Sequence, residues 1–222
     1  MNKNKRTLVI TSINKPNKVI KEFSKICKKN SVNFFLVADK KTPKFVDKNI
    51  NILDLKKQIK LPFRTSKLIP FNSYSRKNIG YLLAIYENYK EIYETDDDNF
   101  PYQDFFSQNF NIFKNYFINK NGYINIYNYF LKKEQIIWPR GLPLSQIKIQ
   151  ENRNNLKSIN KNLIKDVSII QRLCDGNPDV DAIFRLINKD ININFIKKKS
   201  FLKNFKSFIP FNSQNTLWYE KA

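Results

Sequence analysis

An α/β fold built on a mainly parallel sheet flanked by helices is what this 222-residue sequence predicts, and two observations carry the prediction. Apolar runs of strand length alternate with stretches of helical period through the first hundred residues, the pattern of right-handed βαβ crossovers. The polar residues suited to binding, Thr11, Asn14, Asp39 and Asp96 to Asp98, fall at the carboxyl ends of those runs, where open sheets of this class bind ligands.

Thr7 to Ile13 is a β-branched run that stops at Asn14-Lys15-Pro16. A helical pattern follows, with Val19, Ile20, Phe23, Ile26 and Cys27 on one face. Phe34 to Ala38 is continuously apolar, as a strand buried on both faces would be, and ends in Asp39. Ile50 to Leu55 alternates and predicts a third strand. A helix from about Ser73 to Tyr89, with Ile79, Leu82, Leu83 and Tyr86 facing inward, leads into a strand that ends at Asp96-Asp97-Asp98. Beyond residue 100 the pattern weakens. Helix is expected around Gln103 to Ile118, a short strand near Tyr123 to Tyr127, a turning loop at Trp138 to Pro143, a short helix at Val167 to Leu173, and a turn at Asp175 to Asp179. Asp181 to Leu186, Phe195-Ile196 and Thr216 to Tyr219 are strand candidates.

The length suits one domain with a full core. The net charge of +21 comes from 33 Lys and only 7 Arg in a chain crowded with Asn, Ile, Phe and Tyr. That usage looks like a codon bias towards A and T, so the charge is discounted as a functional signal. A nucleic-acid-binding module is disfavoured, because the Lys are dispersed and no RNA-binding signature appears. With no His in the chain, His-based triads and imidazole metal sites are excluded, and any acid, base or metal ligand must be mainly carboxylate. Cys27 and Cys174 are too far apart to form a metal-spaced pair and read as free thiols in a reducing compartment. No apolar run approaches the ~20 residues of a membrane helix, so a soluble, cytoplasmic protein without a transmembrane segment is expected.

Three adjacent carboxylates repel one another and raise each other's pKa unless a cation sits among them. Mg²⁺ or Mn²⁺ is the usual occupant, completing its shell with water and phosphate oxygens. Alone, the triplet reads better as a solvated acidic turn after a strand than as a metal site, and its context reverses that preference. Its context is the helix start Ser73-Tyr74-Ser75-Arg76-Lys77-Asn78-Ile79-Gly80, where Ser73 or Ser75 can cap and the free N–H groups beside Arg76 and Lys77 suit a diphosphate. One element supplies donors for phosphate, and the next supplies ligands for its metal.

Arg76-Lys77-Asn78-Ile79-Gly80, a helix, a strand and then Asp-x-Asp resembles the nucleotide-sugar half of GT-A glycosyltransferases. The segments Asn72 to Tyr81, Ile92 to Asn99, Trp138 to Gly141, Asp175 to Leu186 and Pro210 to Thr216 resemble successive motifs of the STELLO family of glycosyltransferases. More distantly, the triplet, Arg140-Gly141 and Pro178 to Ala182 are similar to the reversibly glycosylated polypeptides, which act as UDP-arabinopyranose mutases. The resemblance implies a GT-A-like, Rossmann-type fold in which residues 1–99 bind the nucleotide sugar and 100–222 form a less regular acceptor side. The amino-terminal anchor of the plant family members is not seen, and the acceptor side is expected to be cut short at the carboxyl terminus.

Carried over by position, the resemblance implies a divalent metal (Mn²⁺ or Mg²⁺) at Asp96 and Asp98, with Asp98 the direct ligand. Asp96, Asp97, Arg76, Lys77 and Asn78 would contact the nucleotide diphosphate. Asp39 would meet the base or ribose, and Thr11 and Asn14 would line the same pocket. Arg140, held between Pro139 and Gly141, would clamp a phosphate or lie near the transferred sugar, unless the loop is fixed only by Trp138 packing. In the absence of His, Asp179 or Asp181 is the expected general base for an acceptor hydroxyl, the alternative being an Asx-type turn. The expected function is metal-dependent glycosyl transfer from a nucleotide-sugar donor, a UDP-sugar, to a glycan or small-molecule acceptor. A UDP-sugar mutase and a catalytically idle scaffold of the same fold are the alternatives.

Overall fold

A computed structural model describes residues 5–107, 114–133, 135–149, 151, 153–159, 167–197, 199–203 and 206–222. The chain divides into two compact units: the first is Met1–Ser107, Ser168–Gln171 and Ser213–Ala222, and the second is Gln108–Val167 and Arg172–Asn212.

The first unit begins with β1 (Arg6–Ser12), α1 (Lys18–Lys29) and β2 (Asn33–Ala38), then β3 (Asn51–Leu53), α2 (Leu55–Lys60), α3 (Arg64–Leu68), α4 (Lys77–Tyr86) and β4 (Glu91–Thr95). The four strands stand parallel in the order β3-β2-β1-β4. Successive residues of a strand point to opposite faces, so β1 serves two cores. Leu8 and Ile10 meet Ile20, Phe23 and Cys27 of α1 together with Phe34, Leu36 and Tyr93. Val9 meets Ile79, Leu83 and Ala84 of α4 together with Phe35, Val37 and Ile92. Each large apolar side chain buried this way contributes about 1.5–3 kcal/mol. α1 starts where the side chain of Asn17 accepts from Ile20 N at 2.9 Å, capping an otherwise unpaired donor.

The sheet is completed from far along the chain. Within the second unit come β5 (Lys114–Ile118), β6 (Gly122–Tyr123), α5 (Tyr127–Phe130) and β7 (Leu156–Ser158). The chain then supplies β8 (Ile169–Gln171) to the first unit and returns to the second for α6 (Ala182–Ile187), β9 (Lys199–Lys203) and β10 (Ser207–Phe208). β11 (Asn215–Tyr219) lies antiparallel between β4 and β8, giving the order β3-β2-β1-β4-β11-β8. The mixed α/β architecture with a mainly parallel sheet and flanking helices is therefore as the sequence predicts.

In the second unit β5 pairs antiparallel with β7 and parallel with β9, and β6 pairs with β10. Its core is Tyr127, Ile137, Trp138, Leu142, Val180, Phe184 and Phe195. The side chain of Glu151 is 2% exposed and is held by Lys120 Nζ at 2.8 Å, with Asn125 N and Tyr129 Oη also donating to it.

Several expectations need correction. Leu55 opens α2 rather than closing β3, because Asp54 caps the helix by accepting from Lys57 N. Tyr86 is exposed and lies edge-on to Phe63 rather than facing inward. The helix over Gln103 to Ile118 is absent where described: residues 103–106 form turns and Lys114–Ile118 is β5, while 108–113 lie outside the described residues. The strand near Tyr123 to Tyr127 is only Gly122–Tyr123, and Tyr127 begins α5. Val167 to Leu173 contains β8 rather than a helix, since its short apolar core pairs with β11. Asp181 to Leu186 is α6 with Asp181 as its cap, not a strand. Phe195-Ile196 forms no strand.

Candidate active site

Because β1, β2, β3 and β4 run parallel, their carboxyl ends share one edge. The order reverses between β1 and β4: β2 and β3 extend to one side of β1, while β4 lies on the other. At such a point the connections diverge and leave a crevice beyond the strand ends. The segments Ser12 to Asn17 and Asp96 to Asn99 meet there.

Asp97 ties the two together. Its Oδ2 accepts from Ser12 Oγ and, at 3.3 Å, from Asn14 Nδ2, while its carbonyl accepts from Asn17 Nδ2 at 2.7 Å. Asn14 is exposed, and Thr11 Oγ1 donates to Val37 O at 2.9 Å, bracing β1 against β2. At the end of β2, Asp39 is buried; its Oδ1 accepts from Lys40 N at 2.7 Å and its Oδ2 from Ser73 N at 3.3 Å. Asp39 thereby holds the turn that starts the helix carrying Lys77.

Ser73 caps that turn by accepting from Ser75 N. The next two cations are used differently. Arg76 is only 1% exposed and points into the fold, where Nε and Nη2 donate to Gln58 Oε1 and Nη1 donates to Ile69 O at 3.0 Å. The structure thus commits the Arg76 donors to the α2–α3 region. Lys77 is buried along its stem, and its Nζ donates to Asp96 Oδ1 at 2.7 Å and to Ser213 O at 3.3 Å. Asn78 is exposed beside it.

Next to Lys77 opens a cavity of about 420 Å³ lined by Tyr74, Ser75, Lys77, Asn78, Tyr81, Glu94, Asp96, Ser213 and Trp218. Its far wall comes from β11 and the residues before it. Thr95 Oγ1 and Asn99 Nδ2 both donate to Gln214 O, at 3.0 and 3.1 Å, and seat Ser213 beside the triplet. Glu94 is wholly buried, and burial pushes its carboxyl up to about 7 although Lys77, Trp218 and Thr216 oppose the shift. Asp98 is exposed, yet partial desolvation, followed by the neighbouring Asp96 and Asp97 charges, holds its carboxyl above the ordinary value.

The donor set suits a hard divalent cation of modest protein ligation. Among the described residues no group of three or more Asp, Glu, Cys or His is placed to hold a metal. Mg²⁺ and Mn²⁺ need only one or two carboxylates when phosphate and water fill the other positions, and Asp96 and Asp98 are the two left after Asp97 is spent on Ser12 and Asn14. A cation would offset the Asp96 and Asp97 charges that, after desolvation, raise Asp98.

In the second unit the loop residue Arg140 is exposed, and its Nη2 pairs with Asp179 Oδ1 at 2.9 Å while its N donates to Asp179 O. Gly141 takes a φ of +86°, which lets the chain turn directly after Arg140 at no steric cost. Asp181 caps α6, its Oδ1 accepting from Ile183 N at 2.8 Å. Arg140 and Asp179 are brought together; Asp181 is occupied with the helix start.

Reading the sequence did not single out Ser12, Asn17, Tyr81, Glu94, Ser213 or Trp218 for the site. A signal existed for Glu94, a carboxylate inside an otherwise apolar strand, sharing a face with Ile92 and Asp96 by the two-residue period. Ser213 lay inside the Pro210 to Thr216 motif but without a role, and nothing local marked Trp218; both reach the site because β11 inserts beside β4.

No family model matches the chain. It is 27% identical to "Probable glycosyltransferase STELLO1" of Arabidopsis thaliana over 96% of the chain and 29% of the plant protein. It is likewise 27% identical to "Probable glycosyltransferase STELLO2" of the same plant, over 77% of the chain and 24% of that protein. The chain therefore spans less than a third of the length of either relative. Among the described residues no helix is long and apolar enough to cross a membrane. Two relatives aligned along most of this sequence support its assignment to the STELLO family.

Proposed function

We propose that the chain is a glycosyltransferase domain that binds a nucleotide-sugar donor, a UDP-sugar, at the carboxyl edge of its parallel strands. The observation that carries this reading is that Lys77, Asn78 and Asp96 line one cavity at the carboxyl end of β4, with Asp98 two residues beyond Asp96. A diphosphate there meets the Lys77 ammonium and Asn78. Asp39, Thr11 and Asn14 line the approach for the nucleoside, and Arg76 holds the helix start in place through Gln58. Asp96 and Asp98 would hold Mn²⁺ or Mg²⁺, which when bound offsets the charge growing on the leaving diphosphate. Before ligand arrives, the Lys77 ammonium supplies part of that compensation by pairing with Asp96.

In the second unit Arg140 and Asp179 form the other half of the reading. By the resemblance, Arg140 would be a cation for a phosphate or sugar and Asp179, which orients it, the carboxylate that would serve as base towards an acceptor hydroxyl. The names of the plant relatives support transfer, as opposed to ring isomerisation, as the reaction class. Titrating UDP-glucose, UDP-galactose and UDP-arabinopyranose into the protein with Mn²⁺, with Mg²⁺ and with chelator tests the proposal. Metal-dependent binding of at least one donor is expected, and equal binding in chelator would remove the metal from the account.

A further inference from the structure

Two polar atoms at the cavity have no work in binding a diphosphate. Glu94 lies on β4, two residues before Asp96 and on the same face, and is wholly buried. Trp218 Nε1 donates to its Oε1 at 3.0 Å, and Thr216, opposite it on β11, also favours the charged carboxylate, but Oε2 makes no hydrogen bond of normal geometry. Tyr81, one helical turn beyond Lys77, has a buried Oη that is equally unpartnered. Glu94, Tyr81 and Trp218 all line the cavity. A buried polar atom left unpaired costs about 1–3 kcal/mol, and few are tolerated without a ligand or water to satisfy them. Two in one cavity, one an acceptor and one a phenol able to donate, mark a place prepared for hydroxyl groups.

The third element is apolar. The Trp218 indole lies in the wall, opposite in register to Ile92 on β4 and diagonal to Glu94. A carboxylate, a phenol and an aromatic ring around a space of about 420 Å³ match a small polyol better than a flat base or a second phosphate. Two residues along a strand rise about 7 Å, so a group attached to a phosphate held at Asp96 and Lys77 reaches Glu94.

We propose that Glu94, Tyr81 and Trp218 form the sugar-reading subsite, in which one hydroxyl of the donor's ring donates to Glu94 Oε2, another accepts from Tyr81 Oη, and the ring lies against Trp218. The assignment rests on the nucleotide-sugar reading above and adds to it the residues that select the sugar. Selection follows because a donor lacking the hydroxyl would leave a buried carboxylate oxygen unpaired, a strong basis for rejection.

Calorimetric titration with Mn²⁺ compares UDP with UDP-glucose, UDP-galactose and UDP-arabinopyranose on wild type, Glu94→Gln and Tyr81→Phe. Gln keeps an oxygen for Trp218 and replaces Oε2 by a donor; Phe removes only the hydroxyl. For the preferred UDP-sugar, Glu94→Gln should weaken binding tenfold or more and Tyr81→Phe three- to tenfold, while both bind UDP within twofold of wild type. UDP-sugar affinity unchanged in both variants would mean that water alone satisfies these atoms and would overturn the subsite. Parallel loss of UDP and UDP-sugar in folded variants would overturn it too, by making the effect one of the nucleotide pocket. Should wild type bind no UDP, the nucleotide reading fails by itself. Saturation-transfer NMR with methyl glycosides then decides the subsite: a signal lost in Tyr81→Phe retains it, and no signal in wild type removes it.

Discussion

Gly80→Ala is the substitution whose consequence follows most directly from the packing. On an exposed helix the change would stabilise by about 1 kcal/mol, because Ala loses less freedom on folding than Gly. Here a Cβ would stand 2.5 Å from Val9 Cγ1 and 2.9 Å from Val37 Cγ2. Both valines are completely buried, on β1 and β2, each of which is paired on both sides, so neither strand can retreat. Val is also stiff at χ1, so rotation offers little relief. Overpacking of this kind costs about 1–3 kcal/mol, and two contacts below 3 Å argue for the upper end. Subtracting the helix gain leaves a net loss of about 2 kcal/mol. With a urea slope of about 2 kcal/mol per M, the midpoint should fall by about 1 M. Labelling of Cys27 across the titration reads the relevant unit, since that thiol is wholly buried in it and burial raises its pKa far above the ordinary thiol value. Val9→Ala removes the nearest clashing methyl, so in the Gly80→Ala background it should cost at least about 1 kcal/mol less than in wild type. A Gly80→Ala midpoint at or above wild type, with additive double-mutant energies, would refute the close-approach argument.

Asp98→Asn should abolish Mn²⁺-dependent nucleotide binding by calorimetry while leaving the thermal midpoint almost unmoved, as the side chain is exposed; unchanged affinity would remove Asp98 from the metal site. Lys120→Met strips the cation from the buried Glu151 carboxylate, and an uncompensated buried charge costs about 3–5 kcal/mol, so pulse proteolysis should show the second unit opening at much lower urea. Arg140→Lys keeps the charge and loses the planar fork that meets Asp179. Donor turnover should fall at least tenfold while the thermal midpoint holds, and wild-type turnover would leave the loop a purely structural element. In native buffer without urea, a thiol reagent should leave Cys27 unmodified, whereas rapid labelling there would contradict its burial.

β1 and β2 were legible because apolar runs longer than a turn have few other solutions in water, β4 was legible from its short Ile92-Tyr93 run directly after a helical pattern, and Asp39 and the Asp triplet followed as strand ends. The helix carrying Lys77 was legible from its Ser cap and its Ile79, Leu83 spacing. Short segments were not: Ile169-Ile170 and Ala182 to Leu186 are too brief for period to decide, so pairing with β11 made one a strand and the Asp181 cap made the other a helix. Arg76 shows the corresponding limit for side chains. Its place beside Lys77 suggested the same phosphate-facing task, but the presence of Gln58 and the Ile69 carbonyl, visible only in three dimensions, turned it inward.

The insertion of β11 also sets a schedule for synthesis. Thr95 pairs with Asn215, 120 positions later (215 minus 95). At about 5–20 residues per second, β4 leaves the ribosome on the order of 10 s before its partner. Through that interval the nascent first unit carries an unprotected edge whose free N–H and C=O groups can recruit a strand from another chain. Expression yield should therefore respond to whatever shortens the wait or covers that edge, such as slower initiation to space the ribosomes or a chaperone that binds extended segments, more than to further stabilisation of the finished core.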